Sequence, residues 1–81
     1  MAIMKYNFTE KSVNERLATN VSEAREAKGM SLSEVSRKAH LAFMTVHRVE
    51  LGWRGSKHIP NLRTITRLAK VLDTTPHHLI R

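Results

Sequence analysis

The sequence predicts an all-α domain, a compact bundle of five helices in which two are joined by a tight turn at residues 31–52. Three observations carry this reading. Apolar residues recur at helical spacing in successive stretches: Val13, Leu17, Val21 and Ala24, then Leu32, Val35 and Ala39, then Val46 and Val49, then Leu62, Ile65, Leu68, Ala69 and Leu72. Residues that cap helices stand just ahead of several of these stripes, and Gly29 and Gly52 stand just after two of them. The stretch SLSEVSRKAHLAFMTVHRVELG holds two helical patterns in a length that accommodates both only if a tight turn connects them. A helical chain of 81 residues builds one core and needs neither metal nor disulfide to do so.

Residues 1–11 carry Ile3, Met4, Tyr6 and Phe8 without a cap or a helical period, and they are expected to form an arm ahead of a domain at 12–81. Ser12, with Glu15 three residues on, has the form of a capping box and is expected to open the first helix, which Gly29 ends. Ser31 and Glu34 repeat the box for a second helix running to about Ala39. His40 and Leu41 must then turn the chain sharply, and His40 stands where glycine would be easiest. A third helix spans 42–51, weakly capped by Ala42 and stopped by Gly52. The segment WRGSKHIP at 53–60 reads as a loop. Asn61 caps a fourth helix with the stripe from Leu62 to Leu72 inward and Arg63, Arg67 and Lys70 outward. Thr75 followed by Pro76 opens a short fifth helix with Leu79 and Ile80 inward.

The charge is unevenly placed. Residues 1–34 hold five basic and five acidic side chains, whereas residues 35–81 hold nine basic ones against Glu50 and Asp73, so the whole formal charge of +7 lies in the second part. A one-sided positive field suits a polyanionic partner such as a phosphate backbone. Cysteine is absent, which excludes disulfides and thiolate metal sites, and there is neither a signal-peptide pattern nor a membrane-spanning apolar run. A cytoplasmic protein without membrane contact is expected. The adjacent His77 and His78 point to different sides of a helix, and with no partner spacing for them or for His58 no metal site is expected. Neither a nucleophile with its base and orienting acid nor a glycine-rich phosphate loop is recognisable, so an enzyme is not expected and no cofactor is implied.

On the third helix the residues pointing away from the valine stripe are Phe43, Met44, His47 and Arg48, and these are the ones placed to meet a partner. Were that partner a DNA duplex, as the family resemblance given below implies, Phe43 and Met44 would suit apolar contact with thymine methyl groups, Arg48 guanine O6 and N7, and His47 a base edge or a phosphate. Packing against a protein is the competing use for Phe43 and Met44. Trp53 reads more naturally as a lid over a helix end than as a stacking platform.

The chain resembles the Cro/lambda-repressor class of helix-turn-helix domains, the XRE family of bacterial and phage transcription regulators, over about residues 17–80. The resemblance rests on Leu17, Val21 and Arg25, then Lys28-Gly29-Met30-Ser31, Val35 and Lys38-Ala39. It continues through Leu41, Thr45-Val46, Arg48-Val49-Glu50 and Gly52, then Pro60-Asn61-Leu62, Leu68-Ala69, Leu72 and Leu79. It implies a lambda-repressor-like bundle with the helix at 42–51 entering the major groove of double-stranded DNA as a homodimer. It further implies base reading by Phe43, Met44, His47 and Arg48, and phosphate contacts from Arg37, Thr45, Arg54, Lys57, Asn61 and Arg63. Arg25 and Glu50 would form a semi-buried structural ion pair joining the first helix to the third. The implied role is a repressor of phage or plasmid type or a restriction-modification controller. No segment is left over for a sensing domain, so no small-molecule effector is expected.

The sequence departs from the family pattern in three places. Leu32 stands where glutamine usually contacts a phosphate, His40 replaces the turn glycine, and the loop between Gly52 and Pro60 is longer than usual. A rival reading keeps the fold but makes it a protein-interaction module, with Leu32, Phe43, Met44 and Trp53 as an apolar docking patch.

Overall fold

The computed structural model describes residues 10–52 and 60–81, and within them all regular structure is helical. Five helices follow in order: α1 (Glu10–Ala27), α2 (Leu32–Ala39), α3 (Phe43–Glu50), α4 (Leu62–Val71) and α5 (Pro76–Ile80). α1 packs against α3 and α5, α2 against α3 and α4, and α4 against α5. The stripes converge on one core of Leu17, Val21, Met30, Val35, Val46, Val49, Ile65, Leu68, Ala69, Leu72 and Leu79. Every helix contributes to it, as does Met30 from the link between α1 and α2, and each fully buried leucine or valine adds about 1.5–3 kcal/mol of transfer free energy.

The starts of α2, α4 and α5 follow the side-chain chemistry of the residue ahead of them. Ser31 Oγ accepts from the Glu34 N–H at 3.0 Å while the Glu34 carboxylate accepts from the Ser31 N–H at 3.4 Å. Asn61 Oδ1 accepts from the Thr64 N–H at 2.9 Å, and Thr75 Oγ1 from the His78 N–H at 3.2 Å. Ala42 precedes α3 with no side-chain cap, as its lack of an oxygen requires. The first helix differs from expectation. It begins at Glu10, so Ser12 lies inside its first turn instead of capping it. Glu10 and Lys11 are good helix formers, and that propensity carries the helix past the serine.

Four helices are followed by a left-handed residue: Gly52 (φ 71°) after α3, with its N–H to Val49 O at 3.0 Å, and one after each of α1, α2 and α4, where the N–H of the next residue also closes back onto the last turn. After α1 the residue is Gly29 (φ 66°), with Met30 N–H to Arg25 O at 3.1 Å. After α2 it is His40 (φ 57°), with Leu41 N–H to Ser36 O at 2.9 Å, and after α4 it is Asp73 (φ 57°), with Thr74 N–H to Ala69 O at 2.9 Å. Histidine and aspartate tolerate this region better than most residues but still carry strain there. His40→Gly is therefore expected to raise stability by up to about 1 kcal/mol once the extra freedom of glycine in the unfolded chain is subtracted. Thermal melting checks this, and an unchanged or lower melting temperature would refute it. Asp73 is also held by Lys28 Nζ at 2.6 Å, and that hydrogen bond lowers its pKa below the ordinary 3.8. The contact thus supports the fold above the ordinary carboxylate range and is lost as pH falls through the depressed value.

The last helix is tied down by α1. Asn20 Nδ2 donates to His78 O at 3.1 Å and to Leu79 O at 2.8 Å, and Arg16 Nε donates to Ile80 O at 3.3 Å. These donors satisfy carbonyls that a helix end leaves without intrahelical partners. Two apolar placements also differ from expectation. Leu62, assigned to the buried stripe of α4, is 72% exposed. Leu32, assigned to an exposed docking patch, is partly buried and packs against the core.

Candidate nucleic-acid interface

The inward face of α3 is fixed by Val46 and Val49, both buried to 1% exposure or less. Its C-terminal end is fixed by charge. Arg25 Nε of α1 donates to Glu50 Oε2 at 2.7 Å, a second guanidinium nitrogen donates to Glu50 Oε1 at 3.2 Å, and Ser22 Oγ donates to the same Oε1 at 3.0 Å. Arg25 also donates to Met30 O at 2.9 Å, so one guanidinium holds α3 and the link between α1 and α2 together. The hydrogen bond to Glu50 raises the Arg25 pKa above its ordinary value, against a smaller lowering by burial. The C-terminal end of α3 is thereby set in orientation relative to α1, and α2 also packs against α3.

With that face occupied, the opposite face of α3 is open. Phe43 is 45% and Met44 51% exposed, Arg48 is exposed, and His47 is half-buried. The spacing i, i+4 puts Phe43 beneath His47 and Met44 beneath Arg48. Phe43 and His47 stack, ring centroids 6.0 Å apart and planes at 14°, so the two rings form one aromatic pair on this face. Leu51, 43% exposed, extends the same outer side past the helix end.

The described residues expected to meet phosphate lie on α2, α3 and the start of α4. Arg37 is exposed on the last turn of α2, Thr45 is half-buried on α3, and Arg63 is exposed on the first turn of α4. Asn61 uses its carbonyl oxygen to cap α4, which leaves its Nδ2 group as the donor for another partner. Arg54, Lys57, Trp53 and His58 lie outside the described residues. Among the described residues no group of three or more His, Asp or Glu side chains is placed to hold a metal, and no helix is long and apolar enough to cross a membrane.

Several participants carry no strong sequence signal. Ser22 follows the buried Val21, and only its position three residues before Arg25 on α1 hints that it helps hold Glu50. The exposed Leu51 and Leu62 read as core by hydrophobicity alone. Arg67, a solvated charge by its spacing, donates to His40 O at 3.1 Å and clasps α4 to the turn before α3.

Comparison with known proteins agrees with this geometry. A family model described as helix-turn-helix matches residues 21–79. That span starts within α1 and ends in α5. No curated protein and no solved structure matches the chain significantly. The matched span covers most of the chain and contains both helices of the motif, and the chain belongs to the Cro/C1-type helix-turn-helix (XRE) family of DNA-binding regulators.

Proposed function

We propose that the protein is a sequence-specific binder of double-stranded DNA that regulates transcription, with α3 in the major groove. The outer face of α3 carries this reading: a rigidly anchored helix presents Phe43, Met44, His47 and Arg48 together, beside a surface with a large basic excess. Arg48 reads guanine, Phe43 and Met44 meet thymine methyls, and His47 is oriented by its stack on Phe43. Arg37, Thr45, the Asn61 amide and Arg63, with Arg54 and Lys57, contact phosphates. The protein acts where the DNA is, in the cytoplasm, as a homodimer on half-sites roughly 34 Å apart, in the manner of small repressors of phage, plasmid or restriction-modification origin.

Selection of bound duplexes from a random pool, followed by footprinting, tests the reading. A symmetric enriched site with the expected spacing supports it, and no enrichment over bulk DNA rejects it. Arg63→Ala gives a finer check. It should weaken cognate and non-cognate duplexes alike and reduce the slope of log affinity against log salt by about one. A change in preferred base with an intact slope would show that Arg63 does not contact phosphate.

The exposure of Phe43, Met44, Leu51 and Leu62 favours one second reading, a protein-docking surface on the same fold. Leu32 cannot belong to it, because it packs on the core. Binding that is insensitive to salt would favour this second reading over DNA.

A further inference from the structure

We propose that the cleft between the C-terminal parts of α2 and α4 binds a phosphate-bearing small molecule of mononucleotide size. The cleft is about 320 Å³ and is lined by Lys38, Ala39, His40, Arg67, Lys70 and Val71. Its walls are cationic and its floor is apolar: Ala39 is 3% exposed and Val71 is partly buried against the core. A concavity of this volume falls at the small end of the range that ligand pockets occupy, roughly 300–1,000 Å³.

Among the described residues, Lys38, Arg67 and Lys70 are in no ion pair. The two carboxylates nearest to them in sequence are engaged elsewhere. Glu34, one turn before Lys38, accepts from the Ser31 backbone, and Asp73, three residues after Lys70, is held by Lys28. Three like charges around one concavity repel each other unless an anion sits among them. Phosphate suits the set, because guanidinium and ammonium groups supply convergent charged donors. The Arg67 guanidinium donates through one nitrogen to His40 O at 3.1 Å, which holds the rim and leaves its other N–H groups for a ligand.

His40 is an independent pointer. It sits in the left-handed region at φ 57°, where glycine would be easier, and the residue lines the cleft. Strain kept at one residue is accounted for when that residue's side chain has a use. The expectation of no effector rested on the lack of a separate sensing domain, whereas this cleft lies within the helix-turn-helix domain itself. Its residues are distinct from those of the α3 outer face.

The test is an amide-resolved NMR titration of the full chain with ADP, inorganic pyrophosphate and adenosine. ADP is expected to shift the amides of residues 38–41 and 67–71 saturably, pyrophosphate to do so more weakly, and adenosine hardly at all. Lys38→Gln combined with Lys70→Gln should weaken ADP by about tenfold or more without lowering the melting temperature. His40→Gly should weaken ADP while raising the melting temperature. Shifts spread equally over Arg37, Arg48 and Arg63 would overturn the proposal, since they would report a diffuse basic surface. Unsaturable binding would overturn it too. Displacement of ADP by a short duplex that shifts the same cleft amides would also overturn it, by assigning the cleft to the DNA backbone. Equal affinity for pyrophosphate and ADP would overturn the part played by the apolar floor.

Discussion

Glu50→Ala is expected to lower the unfolding free energy by about 3 kcal/mol, the low end of the range for removing one partner of a buried charge pair. The low end applies because the Arg25 side chain keeps 18% and Glu50 11% of its exposure, so water reaches the stranded guanidinium in part. Three hydrogen bonds end on the lost carboxylate, two from Arg25 and one from Ser22, and Arg25 keeps Met30 O and a longer pairing with the exposed Glu26 at 3.8 Å. For a chain of this size the loss corresponds to a fall in melting temperature on the order of 10–20 °C. Arg25→Ala should lose at least as much, because it removes the Met30 contact as well. Glu50→Gln, which keeps an acceptor for both neighbours, should fall between wild type and Glu50→Ala. Thermal unfolding of the three variants checks the order, and a loss below about 1 kcal/mol for Glu50→Ala would place the pair in the weak class of surface ion pairs.

The parts of the fold that were legible in the sequence are those governed by local chemistry. Ser31, Asn61 and Thr75 cap because their oxygens reach the N–H three residues on, and that depends on nothing distant. The same holds for His40, whose left-handed turn is forced by how few residues separate two helical patterns. Leu62 shows where periodicity stops informing: it tells which side of a helix faces inward but not how far the covering neighbours extend, and they cover Thr64 and Ile65 of the same turn while leaving Leu62 exposed. Ser12 shows that a good cap residue does not prevent good helix formers ahead of it from lengthening the helix. Contacts such as Asn20 with Leu79, 59 positions apart, have no local signature at all. Within the candidate interface, the outward set on α3 followed from spacing alone. The stack of His47 on Phe43 did not, because it depends on rotamers that spacing leaves open.

Arg48→Ala is expected to cost about 1–3 kcal/mol in affinity for the selected site, with discrimination lost at one G·C pair per half-site. Arg48 is the one guanidinium on the outer face of α3, so no neighbour on that helix replaces a bidentate contact to guanine O6 and N7. Binding to unrelated duplex should fall far less, because it draws on phosphate contacts elsewhere on the surface. Phe43→Ala should produce a different defect. Phe43 is 45% exposed and its ring is stacked with His47, so truncation removes an apolar contact and also frees the imidazole that the ring orients. The loss should therefore appear at an A·T pair, and uracil in place of that thymine should reproduce most of it in the wild-type protein, since only the methyl group is removed. Titration of wild type and both variants against thymine and uracil versions of the selected duplex separates these effects. If every uracil duplex binds wild type as well as its thymine parent, Phe43 and Met44 do not read methyl groups. Their exposure would then point to a protein partner on the same face of α3.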